Sequence, residues 1–186
     1  MITTLPKALK LEDGVEYPIR WDFRDVLNLF EALNDPDTTP QERGLYLLTI
    51  LYEDFEAIPM GLWEDAVKRG LWFLNGGEPQ PQKAAPKLMD WNQDFAIIIP
   101  AINRVAGIEV RDLPTLHWWT FLGYYQEIGG DCTFAQVVSI RDKLRRGKLE
   151  KAEREYYERN RHLVDLQQKL TADEKDFLAT LMKKKG

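Results

Sequence analysis

Apolar and polar positions alternate near the start of the chain and follow a helical period over most of the rest. The alternation from Val15 to Ile19, after a Glu-Asp-Gly turn signal at residues 12–14, predicts a β-hairpin within residues 4–20. Pro18 favours an edge position in that hairpin, because proline donates no ladder hydrogen bond. The remaining pattern predicts a mainly α fold, a multi-helix bundle with this small N-terminal β-hairpin.

Start and stop residues predict three helices after the hairpin. Asp22 is suited to cap the first, and Thr39-Pro40 opens the second, since threonine caps well and proline fits a first helical turn. The third follows Pro59 and ends at Asn75-Gly76-Gly77, glycine being the usual residue for a left-handed C-cap.

A proline- and glycine-rich stretch, residues 75–87, interrupts the helical pattern and indicates a linker or loop. It separates an N-terminal part, residues 1–74, from a helical domain at residues 88–147. Residues 148–186 are predicted as a charged helical tail. Glu–Arg pairs four residues apart favour a solvated, projecting helix in its first half, and a last helix is predicted from Leu170 to Leu181.

Two of the three helices predicted in the domain at 88–147 have clear boundaries. One begins at Asp90 and ends at Gly107, with Pro100 inside it predicting a kink or a break. The other begins with Thr133 as its cap and ends at Gly147.

The helix predicted between them, residues 112–128, is apolar nearly all the way round, whereas a surface helix shows a single apolar stripe. Asp112 is suited to cap it, with Pro114 in its first turn. The face with Trp118, Leu122 and Tyr125 is the candidate for a partner surface, together with Trp119, and core packing is the alternative for each. The face suited to the core carries Leu113, Leu116, Thr120, Phe121 and Tyr124.

Charge and cysteine content narrow the function classes. The 186 residues carry a net charge of −5, but residues 1–140 carry −10, and so acidic a body disfavours nucleic acid. A single cysteine, Cys132, allows no intramolecular disulfide and fits a reducing compartment. The chain start lacks a secretory signal pattern, and the longest apolar run, residues 95–101, is too short to cross a membrane. A soluble, cytoplasmic protein is expected.

Groups for catalysis are sparse. The two histidines, His117 and His162, lie far apart and without a cysteine cluster, so they do not resemble a zinc site, and Ser139 is the only serine. Phosphate-loop and metalloprotease motifs are missing. The acidic pairs, Glu53-Asp54 near the end of the second helix and Glu64-Asp65 at the start of the third, could hold Mg²⁺ or act in acid–base chemistry, but carboxylates are also common wherever helices begin and no histidine or basic group lies near them in the sequence. We expect no catalytic, cofactor-binding or metal-ligating residue, no cofactor and no enzyme activity, and we expect His117 to be structural.

A basic cluster that includes Arg141, Arg145 and Arg146 precedes Gly147. Basic residues stabilise the C-terminus of a helix, and that is the simplest interpretation. Binding of a partner protein by these three arginines is the next hypothesis. A nucleic-acid-binding or regulatory role for the segment 141–161 is a third, which a salt-dependent shift of DNA would support.

Several motifs in this order resemble the bacteriophage Gp15 family, small proteins of tailed phages and prophages encoded close to the tape-measure gene. The resemblance covers most of residues 1–162, and the Leu-His-Trp-Trp block with its spacing to Ile140-Arg141 is the most specific part. The motifs are Trp21-Asp22-Phe23-Arg24, Trp72-Phe73-Leu74-Asn75-Gly76-Gly77, Asp90-Trp91-Asn92-Gln93-Asp94, Leu116-His117-Trp118-Trp119 and Ile140-Arg141.

The resemblance implies a non-enzymatic tail-assembly chaperone. Such proteins bind the tape measure protein, a long, largely helical and aggregation-prone chain, and help to recruit tail-tube subunits around it. The implied location is the host bacterial cytoplasm, with the protein absent from the mature virion. A structural component of the tail or its connector is the alternative, and self-association is left open.

Overall fold

The computed structural model describes residues 4–79 and 85–167 together with Thr171. Apart from Thr171, the helix predicted from Leu170 to Leu181 lies outside the described residues, as do residues 80–84 of the predicted linker.

The chain begins with the predicted hairpin. Strand β1 (Ala8–Lys10) pairs antiparallel with strand β2 (Glu16–Pro18), and Leu9 lies opposite Tyr17. Both of these side chains are buried, whereas Lys10, Glu16 and Pro18 beside them are exposed and Ala8 is partly buried, which agrees with the predicted alternation. The hairpin therefore packs one face on the helices.

Helices make up most of the remaining described residues, which confirms the mainly α fold. Short 3-10 turns at Phe55–Ala57, Met60–Leu62 and Val110–Asp112 connect some of them. The α-helices are α1 (Phe23–Leu33), α2 (Pro40–Leu51), α3 (Trp63–Leu74), α4 (Trp91–Ala106), α5 (Trp118–Gln126), α6 (Thr133–Arg145), α7 (Lys151–Arg159) and α8 (Arg161–Val164).

Three predicted helix starts are confirmed by their capping bonds. The Asp22 side chain accepts a hydrogen bond from the Arg24 N–H at the start of α1. Thr39 and Glu42 form a reciprocal capping box at the start of α2. Asp90 accepts from two N–H groups of the first turn of α4.

The helix predicted over residues 112–128 is shorter than expected, because α5 begins only at Trp118. The preceding segment pairs with main chain elsewhere: Phe23 N–H donates to the Leu116 carbonyl at 3.0 Å, and Trp118 N–H donates to the Trp21 carbonyl at 2.8 Å. His117 rather than Asp112 is the cap. These long-range bonds outweigh the local start signal.

Two smaller predictions also need correction. Cys132, not Thr133, caps α6, since its Sγ accepts a hydrogen bond from Ala135 N–H at 3.4 Å. Of the kink or break predicted at Pro100, the break does not occur, since α4 continues through this exposed residue. Gly147 has the expected left-handed conformation after α6, with φ of 65°.

One hydrophobic core runs through the segments on both sides of residues 75–87. Helix α1 packs against α2, α4 and α5, and the Phe23 and Phe121 rings stack with centroids 4.5 Å apart. Gly70 lets α3 approach α2 closely, since a Cβ there would lie 2.5 Å from Leu47 Cδ2. The segments 1–74 and 88–147 are therefore packed as one unit in the described residues.

The start of the predicted charged tail returns to the body of the molecule. Helix α7 is largely exposed, as predicted for a solvated helix, but α8 packs against α6 and Val164 is fully buried. The tail thus contributes an apolar side chain to the fold rather than projecting along its whole length.

Candidate partner-binding surfaces

Trp118 lies in the core, with 1% of its surface exposed. Its indole N–H donates to the Leu74 carbonyl at 2.9 Å, and its ring contacts those of Phe30, Trp91 and Phe121. The hypothesis that Trp118 is a partner anchor is therefore wrong for this fold. The reason is that α5 lies between α4 and the end of α3, so this side of α5 is covered.

Trp119 and Leu122 are half-buried and close the end of α3. The Trp119 indole donates to the Phe73 carbonyl at 2.8 Å. Leu122 packs over Gly76, where a Cβ would come within 2.9 Å of its Cδ2. The Trp119 indole N–H and the Leu122 side chain therefore already make contacts within the molecule.

Arg141 is buried and uses all five of its N–H donors within the chain. Its guanidinium forms a bidentate ion pair with buried Asp94, at 2.6 and 2.8 Å. It also donates to the carbonyls of Leu88, Leu163 and Val164. Arg141 therefore joins the start of α4 to α8, and the prediction that it binds a partner is wrong.

Arg145 and Arg146 are exposed at the end of α6, as a partner contact requires. Both form ion pairs with Asp142, at 3.0 and 2.7 Å. These two arginines hold the pKa of the Asp142 carboxyl below its usual range. Lys143 pairs in turn with Glu153 of α7. The basic cluster is thus interleaved with carboxylates.

Tyr125 and Arg146 are the two predicted residues that the structure brings to one place. They line an open groove of about 530 Å³ between α5 and α6, hereafter the α5–α6 groove. Apolar side chains form most of its surface, and Ser139 and Asp142 add polar groups from α6. Its apolar lining residues are Pro86, Leu88, Tyr125, Ile128, Phe134, Ala135 and Val138.

Tyr125 is the aromatic residue of this groove. Its ring packs on Trp91 with a centroid distance of 4.8 Å and on Phe134 at 5.7 Å. Burial, aided by the charge of Asp94, raises the pKa of the Tyr125 hydroxyl, so the phenol is neutral at physiological pH. A half-buried tyrosine held in one orientation is a suitable contact for a partner.

His117 is a structural joint between the hairpin and α5. Its Nδ1 accepts from Trp119 N–H at 3.0 Å, so Nε2 carries the proton and lies 2.8 Å from the Pro6 carbonyl. The ring stacks on Trp21 with centroids 5.7 Å apart. Burial lowers the pKa of His117, which favours this neutral form.

A second open groove, which the sequence did not suggest as a binding surface, lies between α2 and α3. This α2–α3 groove has a volume of about 630 Å³. Leu45 belongs to its lining and is 41% exposed. The signal available in the sequence was a glycine in mid-helix, Gly44. The lining residues are Gln41, Glu42, Gly44, Leu45, Leu48, Trp63, Glu64 and Val67.

In residues 4–79 and 85–167, His, Cys, Asp and Glu side chains form no group of three or more that could hold a metal ion. No helix in the same ranges is both long and apolar enough to cross a membrane.

Comparison with known proteins finds one family. A family model described as "Bacteriophage Gp15 protein" matches residues 1–166. No curated protein and no solved structure matches the chain. The family match includes the hairpin, helices α1 to α8 and both grooves.

Proposed function

The chain belongs to the bacteriophage Gp15 protein family, and on that premise we propose that this phage protein is a tail-assembly chaperone that binds the tape measure protein. The role is non-enzymatic and is carried out in the host cytoplasm. It includes helping tail-tube subunits to assemble on the bound tape measure.

The α5–α6 groove is the observation that supports this proposal most directly. A protein that shields a long amphipathic chain needs an open apolar surface with a polar border. The groove has this character, since apolar side chains such as Tyr125, Ile128 and Val138 line it together with the ion pair of Asp142 and Arg146. A helix of the tape measure with one apolar face would suit it.

The charge distribution supports a protein partner over DNA. The exposed arginines of α6 share Asp142, and Arg141 is used inside the molecule. The Asp142 carboxylate beside the exposed arginines would repel phosphates, and the body of the chain is acidic as well. For these reasons nucleic-acid binding is not part of the proposal.

Co-expression with the tape measure protein of the same phage tests the proposal. We expect the tape measure to be more soluble with this chain than without it, and the two proteins to co-purify. Equal insolubility in both cultures, with no co-purification, would contradict the chaperone role.

A pair of arginine substitutions on α6 tests the groove itself. Ser139 is exposed and lines the α5–α6 groove, whereas Gln136, one turn earlier and also exposed, lies outside it. Ser139→Arg should block capture of the tape measure, and Gln136→Arg should leave it unchanged although it adds the same charge. Equal capture by both variants would place the binding surface elsewhere.

A structural role in the tail is the alternative within the same biology. Quantitative mass spectrometry of purified virions separates the two, since an assembly chaperone should be missing from mature particles. Recovery of the protein in fixed stoichiometry with a tail component would favour the structural role.

A further inference from the structure

Gly44 in the middle of α2 has no explanation within the described chain. A Cβ at this position would lie 3.9 Å from Val67 Cγ2, which is ordinary van der Waals contact, so alanine would fit. Glycine in a helix interior is destabilising relative to alanine, because it loses more backbone entropy on folding. Gly70 on α3 differs, because a Cβ there would clash with Leu47. Gly44 thus leaves space that the chain itself does not fill.

The space beside Gly44 opens into the α2–α3 groove, which is almost entirely apolar. Leu45, Leu48, Trp63 and Val67 form its walls. The Trp63 indole N–H is already satisfied, because it donates to the Ile58 carbonyl at 3.1 Å. The groove therefore presents apolar surface and a bare stretch of helix backbone, an arrangement that lets another helix come close.

Carboxylates mark both sides of this groove. Glu42 on α2 and Glu64 on α3 line it, and none of its described lining residues is basic. Glu42 accepts hydrogen bonds from the N–H and hydroxyl of Thr39, which hold the pKa of its carboxyl below the usual range. Glu64 pairs with Lys68 at 2.7 Å but remains 83% exposed. Both side chains are therefore ionised at neutral pH and face solvent.

From these observations we propose that the α2–α3 groove binds an amphipathic helix of a partner protein, one with a small residue opposite Gly44 and basic residues flanking its apolar stripe. The apolar walls cover the stripe, and Glu42 and Glu64 attract the flanking lysines or arginines. This surface is separate from the α5–α6 groove, and its existence does not depend on the tape-measure proposal. A chaperone that gathers two proteins needs two such surfaces.

Synthetic peptides test the chemistry of the groove without any phage partner. The probe is a helical peptide of about 18 residues, five turns, with Ala and Leu along one face and Lys at both ends. Its counterpart carries Glu in place of every Lys. We expect the Lys peptide to bind the full chain and to shift backbone amide resonances of α2 and α3. Its affinity should fall as the salt concentration rises. The Glu peptide should bind at least about tenfold more weakly.

Two glycine variants show whether binding occurs at Gly44. Gly44→Leu fills the groove and should lower the affinity for the Lys peptide at least about tenfold. Gly123→Leu is the matched control, because Gly123 is also a mid-helix glycine and a Cβ there meets nothing within 4 Å. The Gly123→Leu variant should bind the Lys peptide with the same affinity as the wild type. Thermal unfolding of both variants confirms that they are folded.

Three results would overturn the proposal. They are no binding of the Lys peptide, equal binding of the Glu peptide, and undiminished binding to folded Gly44→Leu. None of these bears on capture of the tape measure, and failure of that capture would leave the peptide result intact, so the two proposals fail separately.

Discussion

Arg141 and His117 are the buried polar residues that join distant parts of this chain. Arg141 brings Asp94 in the first turn of α4 and the carbonyls of Leu163 and Val164 to one point. His117 ties Pro6 to the first turn of α5. In the described residues, every buried side-chain nitrogen or oxygen has a hydrogen-bond partner. Buried polar contacts that are fully satisfied fix how these segments pack together, whereas hydrophobic packing alone would define their arrangement less strictly.

Arg141→Met should be strongly destabilising. It leaves the Asp94 carboxylate buried without its partner, and breaking a buried ion pair on one side costs about 3–5 kcal/mol. Arg145→Met on the same helix is the matched control. It removes an exposed pair with Asp142 and should change the free energy of unfolding by less than about 1 kcal/mol. Urea unfolding measures both, and similar values would contradict the burial argument.

His117 should make stability depend on pH in the mildly acidic range. Because its pKa is lower in the folded chain, the unfolded chain takes up a proton first as the pH falls. The stabilisation is complete above the unfolded pKa of about 6.5 and is lost as the pH falls towards the folded pKa. Protonation would also remove the Nδ1 acceptor that caps α5.

His117→Asn is the control for that pH dependence, since asparagine caps a helix but does not titrate in this range. The melting temperature of the wild type should fall more than that of His117→Asn between about pH 7.5 and pH 5.5. Equal decreases would show that other groups carry the effect.

At the scale of the helices, substitution by alanine should change the free energy of unfolding in opposite directions at two glycines, Gly44 of α2 and Gly70 of α3. Gly70→Ala forces a Cβ against Leu47 and Leu51, both buried, and overpacking of this kind costs about 1–3 kcal/mol. Gly44→Ala meets only an ordinary contact and should stabilise α2 by about 0.5–1 kcal/mol. Urea unfolding of the two variants provides the comparison. A destabilised Gly44→Ala would indicate a packing role that the contacts do not reveal.

Helix boundaries were predictable where the signal is local. Asp22, Thr39 and Asp90 cap their helices through bonds that span two or three residues, so the sequence alone indicates them. Asp112 carried a similar signal, but the helix predicted from it begins only at Trp118, because residues 116–118 bond to residues 21–23 instead. A bond between segments more than ninety residues apart leaves no local pattern.

For the molecule as a whole, one shared core predicts one unfolding transition. Phe23 stacks on Phe121, and the Trp118 indole bonds to Leu74, so contacts cross the predicted linker in both packing and hydrogen bonding. Urea unfolding followed by far-UV circular dichroism and by tryptophan fluorescence should give coincident curves. Separate midpoints would show that residues 1–74 and 88–147 unfold independently.

The candidate binding surfaces were predicted only in part. Six tryptophans and an all-apolar α5 indicated that large aromatic side chains matter, but not which of them face solvent. Trp118 is in the core, Tyr125 lines a groove, and the α2–α3 groove was found only in the folded chain. Whether an apolar side chain is covered depends on how neighbouring helices cross, and that is a property of the assembled molecule.

By itself, the sequence determined the fold class, the hairpin, most helix starts and the family, because periodicity, capping and motif order are encoded locally along the chain. The tertiary structure alone decided that Arg141 is a buried joint, that α5 begins at Trp118 with His117 as its cap, and that two grooves stay open. These outcomes depend on contacts between residues far apart in sequence, which compete with local preferences and are resolved only when the whole core is packed.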